Sequence, residues 1–376
     1  MYKKILNNIF SKYKKTLYNL KSIILITVKN IVEHFLVLII QIFPGCNSKF
    51  KDKPNQILII LSHGIGDAII FAPILKKISV LFKDAQITLL TTDRSYEVMI
   101  EFFPEFNYIQ YLSLLKLRTL RNKFDLIINS SRWIKNYLID IILRPDFLIG
   151  FNYSLKIRPG ENHFHRAERL LMQLNGKLSG RQEYQFLQEK YQMKVNTCYN
   201  RLSDKGKKII CFIVGGRWRS KTYPLEKNKI LIKKLVKQQN FTVILIGKDK
   251  ITGKKIGGCI KGIHNLCGST SIKQVIDCIR GSDLLIGPDS GLLHIAIAFD
   301  IPFIGLFSSV DPKTVIPDKY LNNIITNNSC PYQPCYNENH EPFCPFKVPK
   351  CINIEPELII EKINNIYPNF LNDINE

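Results

Sequence analysis

The hydrophobic pattern of this chain alternates short apolar runs with longer segments that are apolar on one side. Residues 56–62 (QILIILS) are apolar at nearly every position, which is typical of a parallel strand buried on both faces. A helix over about 67–82 and a strand over 86–90 follow, with further strands near 108–111 and 125–129. This alternation predicts an α/β domain built on a doubly wound parallel sheet.

The second half of the chain repeats the pattern. Its predicted elements are strand 209–214, helix 225–238, strand 241–246, helix 272–280, strand 283–286 and helix 292–299. Two such series imply two Rossmann-like domains facing across a cleft. Because ligands bind beyond the carboxyl ends of parallel strands, we expect the glycine loops to line that cleft.

We divide the chain into four parts on this basis. Residues 1–50 form an arm, 51–180 a first Rossmann-like domain, 181–207 a polar connection, and 208–376 a second Rossmann-like domain. A loop at 330–351 carries four cysteines.

The arm is basic and hydrophobic. Seven lysines precede the first acidic residue, Glu33, and residues 23–43 are strongly apolar. On a helical wheel one side collects Thr27, Lys29, Asn30, Glu33, His34 and Gln41. We expect an amphipathic helix that lies in the membrane interface, because a spanning helix would bury Lys29 and Glu33 near mid-bilayer. A transmembrane anchor and a plain soluble helix are the alternatives, and each leaves the body on the cytoplasmic side.

Charge limits the kinds of partner that this chain is expected to bind, and cysteine content indicates its redox environment. The formal net charge is +22, which favours a phosphorylated substrate, a membrane surface or nucleic acid. No nucleic-acid signature is present, so we predict a phosphate-bearing substrate and a membrane surface, and no nucleic acid. Six scattered cysteines resemble reduced core thiols, as in a cytoplasmic protein: Cys46, Cys198, Cys211, Cys259, Cys267 and Cys278.

Three common motifs do not fit. Gly64 and Gly66 match a dinucleotide fingerprint, but Ile69 stands at its third glycine. The segment 247–255 spaces its glycines one residue too far for a P-loop and ends on Lys255 instead of Ser or Thr. A Gly-x-Ser-x-Gly hydrolase elbow is also missing from the sequence.

Three loops carry candidate chemistry. In the first, Gly64 and Gly66 allow close approach of a ligand, and Asp67 is either a general base or only a helix N-cap. In the second, Gly215 and Gly216 precede three cations ending at Lys221, which suits a diphosphate or is simply a solvated basic loop. The third, 287–294, opens a helix and forms either a phosphate site or a capped helix with a core His294.

In this order the motifs resemble glycosyltransferase family nine, the ADP-heptose:lipopolysaccharide heptosyltransferases, over roughly residues 56–365. The matching segments are ILIILSHGIGDAIIFAPIL from 57, HFHRAERLL at 163–171, Lys221-Thr222-Tyr223-Pro224, Gly268-Ser269-Thr270-Ser271-Ile272 and DSGLLHIAIA at 289–298.

The resemblance implies a GT-B fold and an inverting mechanism without a catalytic metal. Asp67 would be the base that activates the acceptor hydroxyl, and Lys221 would neutralise the diphosphate as ADP leaves. It assigns Asp249 to the nucleotide, and it assigns the diphosphate and heptose to Asp289, Ser290, Gly291, Leu292 and His294. The implied partners are ADP-heptose and a lipid-linked saccharide at the inner face of the cytoplasmic membrane.

The chain departs from the family pattern at several positions. Ser290 replaces Thr, Tyr223 replaces Trp, and Arg217-Trp218-Arg219 is not the usual sequence before the lysine. Another nucleotide sugar, a protein or capsular acceptor, and a non-catalytic nucleotide-sugar-binding protein at the membrane therefore stay open as alternatives.

The four late cysteines are Cys330, Cys335, Cys344 and Cys351. Similar cysteine-bearing loops occur in members of the family. Clustered thiols suggest a structural metal, but the spacings lack the short pairs typical of zinc sites. Free thiols and a disulfide are the alternatives.

Overall fold

A computed structural model describes most of the chain outside its two ends. The described residues are 24, 27–42, 53–61, 64–110, 117–131, 134–151, 155, 158, 160–174, 207–237, 241–258, 260, 262–336, 344–346, 348–368 and 370–371. The polar connection predicted at 181–207 lies outside them except for Lys207, and so do Cys46, Cys198 and Cys259.

The described residues form two compact units. The first takes its residues from Met1–Gly64, Ile74–Arg181 and Asn337–Lys347, and the second from Ile65–Pro73, Gln182–Tyr336 and Val348–Glu376. The start of the first long helix, Ile65–Pro73, therefore belongs to the second unit, although the rest of that helix belongs to the first.

The first unit contains a five-stranded parallel sheet. Its strands are β1 Gln56–Leu61, β2 Gln86–Thr91, β3 Asn107–Gln110, β4 Leu126–Asn129 and β5 Phe147–Gly150. They are ordered β3-β2-β1-β4-β5. The apolar run predicted to be a doubly buried strand is β1, whose residues after Gln56 are all buried. Chain order reverses between β1 and β4, and parallel sheets of this kind bind ligands beyond the carboxyl ends of the strands at such a reversal.

The second unit contains a six-stranded parallel sheet. Its strands are β6 Lys208–Ile213, β7 Phe241–Ile246, β8 Ile263–Asn265, β9 Leu284–Pro288, β10 Phe303–Phe307 and β11 Ile324–Thr326. They are ordered β11-β10-β9-β6-β7-β8. The predicted α/β class with two parallel sheets is confirmed. In this sheet chain order reverses between β6 and β9, which pair directly from Ile210 with Leu284 to Phe212 with Ile286.

The sequence predicts bounds for four helices of the two sheets, 67–82, 225–238, 272–280 and 292–299, and each is present with its ends within two residues of those bounds. The helices that follow β2, β4 and β7 were not predicted. The described helices are α1 27–41, α2 Ile65–Leu81, α3 Asp93–Phe102, α4 Ile134–Leu143, α5 His163–Met172, α6 Leu225–Lys237, α7 Lys250–Gly257, α8 Ile272–Arg280, α9 Gly291–Ala298 and α10 Pro356–Ile366. Helix α8 begins with a capping box, in which Ser271 and Gln274 satisfy each other's backbone amides.

Helix α1 of the arm is docked against the first unit. Leu36, Val37 and Ile40 are buried in a core cluster with Tyr137. Glu33, which the helical wheel grouped with the polar side, is only 4% exposed, and its Oε1 accepts a hydrogen bond from the Tyr137 hydroxyl at 3.0 Å. The wheel did not predict this docking, because its partner lies 104 residues away in the chain. No helix in the described part of the chain combines the length and apolar content needed to cross a bilayer.

The described core cysteines are reduced, as the sequence predicts. Cys211, Cys267 and Cys278 are all buried. Burial raises the pKa of Cys211 to about 12 and that of Cys267 to about 12. A thiol with such a pKa is almost entirely protonated at neutral pH, so these residues serve as small apolar side chains.

Candidate active site

The candidate site lies where chain order reverses in the second sheet. Strands β6 and β9 are neighbours there, so the loops that leave their carboxyl ends meet at the same edge. The β6 loop contains Gly215 through Lys221, and the β9 loop contains Asp289 and Ser290. Two segments about 70 residues apart in sequence thereby share one site.

The β6 loop is a tight turn built on glycine. Gly215 has a φ of +82°, which an L side chain rarely adopts. A methyl group added at Gly216 would lie 2.3 Å from the carbonyl oxygen of Lys221, so only glycine fits. The Lys221 amide donates to the Trp218 carbonyl at 3.0 Å. These contacts fold the loop back on itself.

The two loops meet in an ion pair between Lys221 and Asp289. The distance from Nζ to Oδ2 is 2.5 Å, with the side chains 15% and 8% exposed respectively. This Asp289 oxygen makes no contact of hydrogen-bond geometry with the described residues, so the attraction is electrostatic. Little water screens the two charges, so both their Coulomb attraction and the cost of desolvating them are larger than in an exposed salt bridge.

Ser290, the next residue after Asp289, has a buried hydroxyl whose hydrogen-bonding capacity is unused among the described residues. It precedes helix α9 in extended backbone conformation, with φ −155° and ψ 163°, and makes no side-chain cap. Its Oγ is buried and has no hydrogen-bond partner among the described residues. The capped-helix alternative is therefore wrong for this residue. A buried hydroxyl at a helix N-terminus is suited to an oxygen-rich anionic ligand.

Two aromatic rings lie beside Lys221. Its Nζ is 4.9 Å from the ring centroid of Trp218 and 5.5 Å from that of Tyr336. The two rings are themselves 5.1 Å apart, at 41°. The ammonium group thus has a carboxylate on one side and two π faces nearby, and both kinds of group attract it.

Tyr336 and Ser309 are the residues of this site that sequence reasoning missed. The backbone amides of Cys335 and Tyr336 donate to the Ser309 carbonyl at 3.1 and 2.9 Å. The Ser309 hydroxyl lies 3.2 Å from that of Ser220. The available signal was Ser308-Ser309 directly after β10, the strand next to β9.

Asp249 follows the next strand, β7, and lies beside the β6 loop. A methyl group added at Gly215 would be 3.6 Å from its Cβ. The carboxylate caps helix α7, accepting from the Thr252 amide at 2.9 Å and from the Thr252 hydroxyl at 2.6 Å. The hydroxyl contact holds the pKa of Asp249 below its usual range. Asp249 is therefore an exposed, ionised helix cap at the same sheet edge.

The start of helix α2 packs closely on the start of helix α9 within the second unit. A methyl group at Gly291 would lie 2.7 Å from Cβ of Ile65 and 3.0 Å from the Gly66 nitrogen. A methyl group at Gly66 would lie 3.0 Å from Cδ2 of His294. Neither glycine can gain a side chain without displacing its neighbours. His294 is only 4% exposed, so its imidazole packs among its neighbours. Leu292 is half-buried.

Asp67 occupies the third position of helix α2. The N-cap is Gly64, which makes no side-chain cap, so the alternative that Asp67 is the N-cap is wrong. Asp67 directly follows Gly66 and is half-buried. Gly64 is exposed, and a methyl group there would meet no described atom within 4 Å.

The comparisons with known proteins decide the family. A model of glycosyltransferase family 9 (heptosyltransferase) matches residues 115–342, more than half of the chain. The chain belongs to glycosyltransferase family 9. Lipooligosaccharide heptosyltransferase 2 of Campylobacter jejuni is similar to it, with 24% identity over 334 residues, which cover 84% of this chain and 99% of that protein.

Solved structures show the fold of this glycosyltransferase. E. coli ADP-heptose LPS heptosyltransferase II matches with a TM-score of 0.63 and 18% identity, over 83% of this chain and 98% of that one. E. coli TibC is described as a dodecameric iron-containing heptosyltransferase in complex with ADP-D-beta-D-heptose. It matches with a TM-score of 0.54 and 13% identity, over 86% of this chain and 78% of that one. The predicted GT-B fold is thereby confirmed.

One departure of this family 9 glycosyltransferase from the family pattern has a local explanation. Tyr223 is 2% exposed, and its hydroxyl donates to the Ile354 carbonyl at 2.9 Å. Its own carbonyl accepts from the Asn228 side chain at 2.9 Å. The ring therefore anchors the segment after Lys221 to the core.

The four late cysteines of the enzyme form no disulfide among the described residues. Cys330 and Cys351 are buried, whereas Cys335 and Cys344 are half-buried. Across the described ranges, no group of three or more His, Cys, Asp or Glu side chains is arranged to hold a metal ion. The structural metal that the sequence offered as one alternative is not seen in that part of the chain.

The contact between Gly291 and helix α2 can be tested by adding one methyl group. We expect Gly291→Ala to lower the rate of glycosyl transfer at least tenfold, because its Cβ would lie 2.7 Å from Ile65. Gly257→Ala in helix α7 is the control outside the site, since its added methyl comes no closer than 3.2 Å to a described atom. Initial rates and thermal unfolding of both variants check this. Equal effects of the two substitutions would contradict the close contact.

The aromatic rings beside Lys221 give a second prediction. Trp218→Leu removes one π face, which is worth about 0.5–2 kcal/mol, and should lower kcat roughly 2- to 30-fold. Trp218→Phe keeps a ring and should restore most of that loss. Steady-state kinetics measure both, with the donor KM recorded separately. If Leu and Phe behave alike, the ring does not act through the lysine charge.

Proposed function

We propose that this glycosyltransferase transfers heptose from ADP-heptose to a lipopolysaccharide core or a related lipid-linked saccharide. The observation that carries the proposal is the Lys221–Asp289 ion pair, next in sequence to a buried Ser290 hydroxyl that has no hydrogen-bond partner among the described residues, at the carboxyl end of the sheet where α/β proteins bind ligands. The similar proteins indicate the substrates: the E. coli structure is an ADP-heptose LPS heptosyltransferase, and the Campylobacter jejuni relative is a lipooligosaccharide heptosyltransferase.

Lys221 is proposed to neutralise the diphosphate of the donor. Negative charge grows on the bridging oxygen as ADP departs, so a fixed cation stabilises the transition state more than the ground state. The aromatic rings and Asp289 support this role because they hold the ammonium in one place before the donor arrives. Charge stabilisation by the protein makes a catalytic metal unnecessary in this proposal.

The β9 loop is proposed to hold the diphosphate and the sugar. The Ser290 hydroxyl and the amides at the start of α9 would donate to phosphate oxygens. The carboxylate of Asp289 would accept hydrogen bonds from heptose hydroxyls. Gly291, Leu292 and His294 would shape the wall of this site, and Asp249 would act on the nucleotide from the end of β7.

Asp67 is proposed as the general base of an inverting reaction. The acceptor hydroxyl oxygen attacks the anomeric carbon, its proton passes to the Asp67 carboxylate, and the bond from carbon to the diphosphate oxygen breaks. ADP takes the electron pair of that bond. Supporting this role, Asp67 is a half-buried carboxylate in the first turn of α2, and the preceding Gly66 packs against Gly291 and His294 of helix α9.

A membrane location completes the proposal. The enzyme would work at the inner face of the cytoplasmic membrane, where a lipid-linked acceptor is anchored. The lysine-rich arm supports this, because basic segments are attracted to anionic lipid.

A second candidate keeps the fold and changes the substrates. Arg217 and Arg219 stand before Lys221 where the family has other residues, and both are exposed. They favour an additional or different anionic group, so another nucleotide sugar, or a protein or capsular acceptor, is the alternative. A thermal-shift panel of ADP-, UDP- and GDP-sugars separates these readings, since the proposal predicts the largest shift with ADP-heptose.

The base is tested by Asp67→Asn, which keeps the shape and removes the charge. With ADP-heptose and a core acceptor we expect ADP release to fall roughly 10²- to 10⁴-fold, because proton transfer contributes about that much. The donor KM should stay within a few-fold of its original value.

The control for this variant is Asp93→Asn. Asp93 also lies in the first turn of a helix, α3, after a strand of the parallel sheet, and it is exposed. It should retain normal turnover. Near-normal turnover in Asp67→Asn would rule out the assigned base.

A further inference from the structure

We propose that the outward side of helix α1 is a membrane-contact surface that inserts into an anionic bilayer. The surface is an apolar stripe formed by Val28, Ile31, Phe35, Leu38 and Ile42, which are between 48% and 80% exposed. The inference deepens the proposed function and rests on it for its purpose, since a lipid-linked acceptor would be reached through this surface.

The spacing makes the stripe continuous. Its positions are separated by three or four residues, so the side chains lie above one another on one side of the helix. Elsewhere in the described chain, exposed large apolar side chains such as Val80 and Ile230 are scattered singly over other elements. A contiguous apolar row on a protein surface indicates contact with another apolar phase.

Docking of the opposite side fixes the direction in which the stripe faces. Leu36, Val37 and Ile40 are buried in the first unit, and Glu33 is bonded to Tyr137. At 3.6 residues per turn these positions lie about half a turn from the centre of the stripe. Helix α1 therefore cannot turn its stripe inward without breaking that docking. A helix bound along one side to the protein body is positioned to lie along a membrane surface.

Charge selects lipid over a second copy of the chain as the occupant. Seven lysines precede Glu33 in the sequence, and the only acidic group of this helix is the buried Glu33 itself. Two arms pairing through their stripes would bring lysine-rich segments together. An anionic bilayer offers the opposite charge and an apolar interior at once.

The test measures binding of the full-length protein to vesicles. Vesicles of phosphatidylcholine alone are compared with vesicles in which part of that lipid is replaced by phosphatidylglycerol. We expect sedimentation with the anionic vesicles and release by high salt. Ile31→Glu/Phe35→Glu should weaken this binding roughly tenfold or more, because two charges would enter the apolar phase.

The matched control is Val80→Glu/Ile230→Glu, which makes the same change at exposed apolar side chains outside the stripe. It should bind vesicles normally. Thermal unfolding and sedimentation velocity are recorded for all proteins. A second measurement avoids new charges: bromolipid should quench Phe35→Trp emission but not Val80→Trp emission.

Three results would overturn the proposal: failure to bind anionic vesicles, equal loss in both double variants, or a wild-type dimer that Ile31→Glu/Phe35→Glu dissociates. Vesicle binding needs neither donor nor turnover. Failure of the proposed heptosyl transfer would therefore leave this test intact, and failure here would leave the transfer reaction standing.

Discussion

The candidate site depends on one ion pair, between Lys221 and Asp289. Both side chains are nearly buried, so removing either partner would leave an uncompensated charge, at a cost of about 3–5 kcal/mol. The pair is possible because β6 and β9 are adjacent while their chain segments are far apart. The order of strands in the sheet thus brings a cation and a carboxylate together, and short loops keep the two side chains in contact.

Close backbone packing holds the two loops in place. Gly216 allows its loop to fold against the Lys221 carbonyl. Gly291, the first residue of helix α9, allows helix α2 to pack directly against it. The rings of Trp218 and Tyr336 lie 4.9 and 5.5 Å from the ammonium nitrogen. An ammonium held in this way loses little freedom when a diphosphate binds, which is how preorganised sites stabilise developing charge.

Much of the fold could be predicted from the sequence because parallel strands buried on both faces are continuous apolar runs. Strands β1 and β7 are examples, and β7 was predicted with both ends correct. Strands β5, β8, β10 and β11 were not predicted. Strands β8 and β11 have three residues each and are only partly buried, and β5 and β10 are short apolar segments interrupted by a glycine. The glycine and charged residues of the site were identifiable because they directly follow such strands. Tyr336 was not, since its place beside Trp218 depends on the Ser309 contact and on no local pattern. Docking of Glu33 was missed for the same reason.

The central claim is that Lys221, held by Asp289, binds the diphosphate of the donor. Calorimetric titration of ADP and of adenosine into the wild type, Lys221→Met, Asp289→Asn and the double variant tests it most directly. The account predicts that Lys221→Met weakens ADP binding about 10- to 100-fold, as expected for loss of a charge-assisted contact, and leaves adenosine binding unchanged. Equal weakening of both ligands, or ADP binding that does not change, would contradict it.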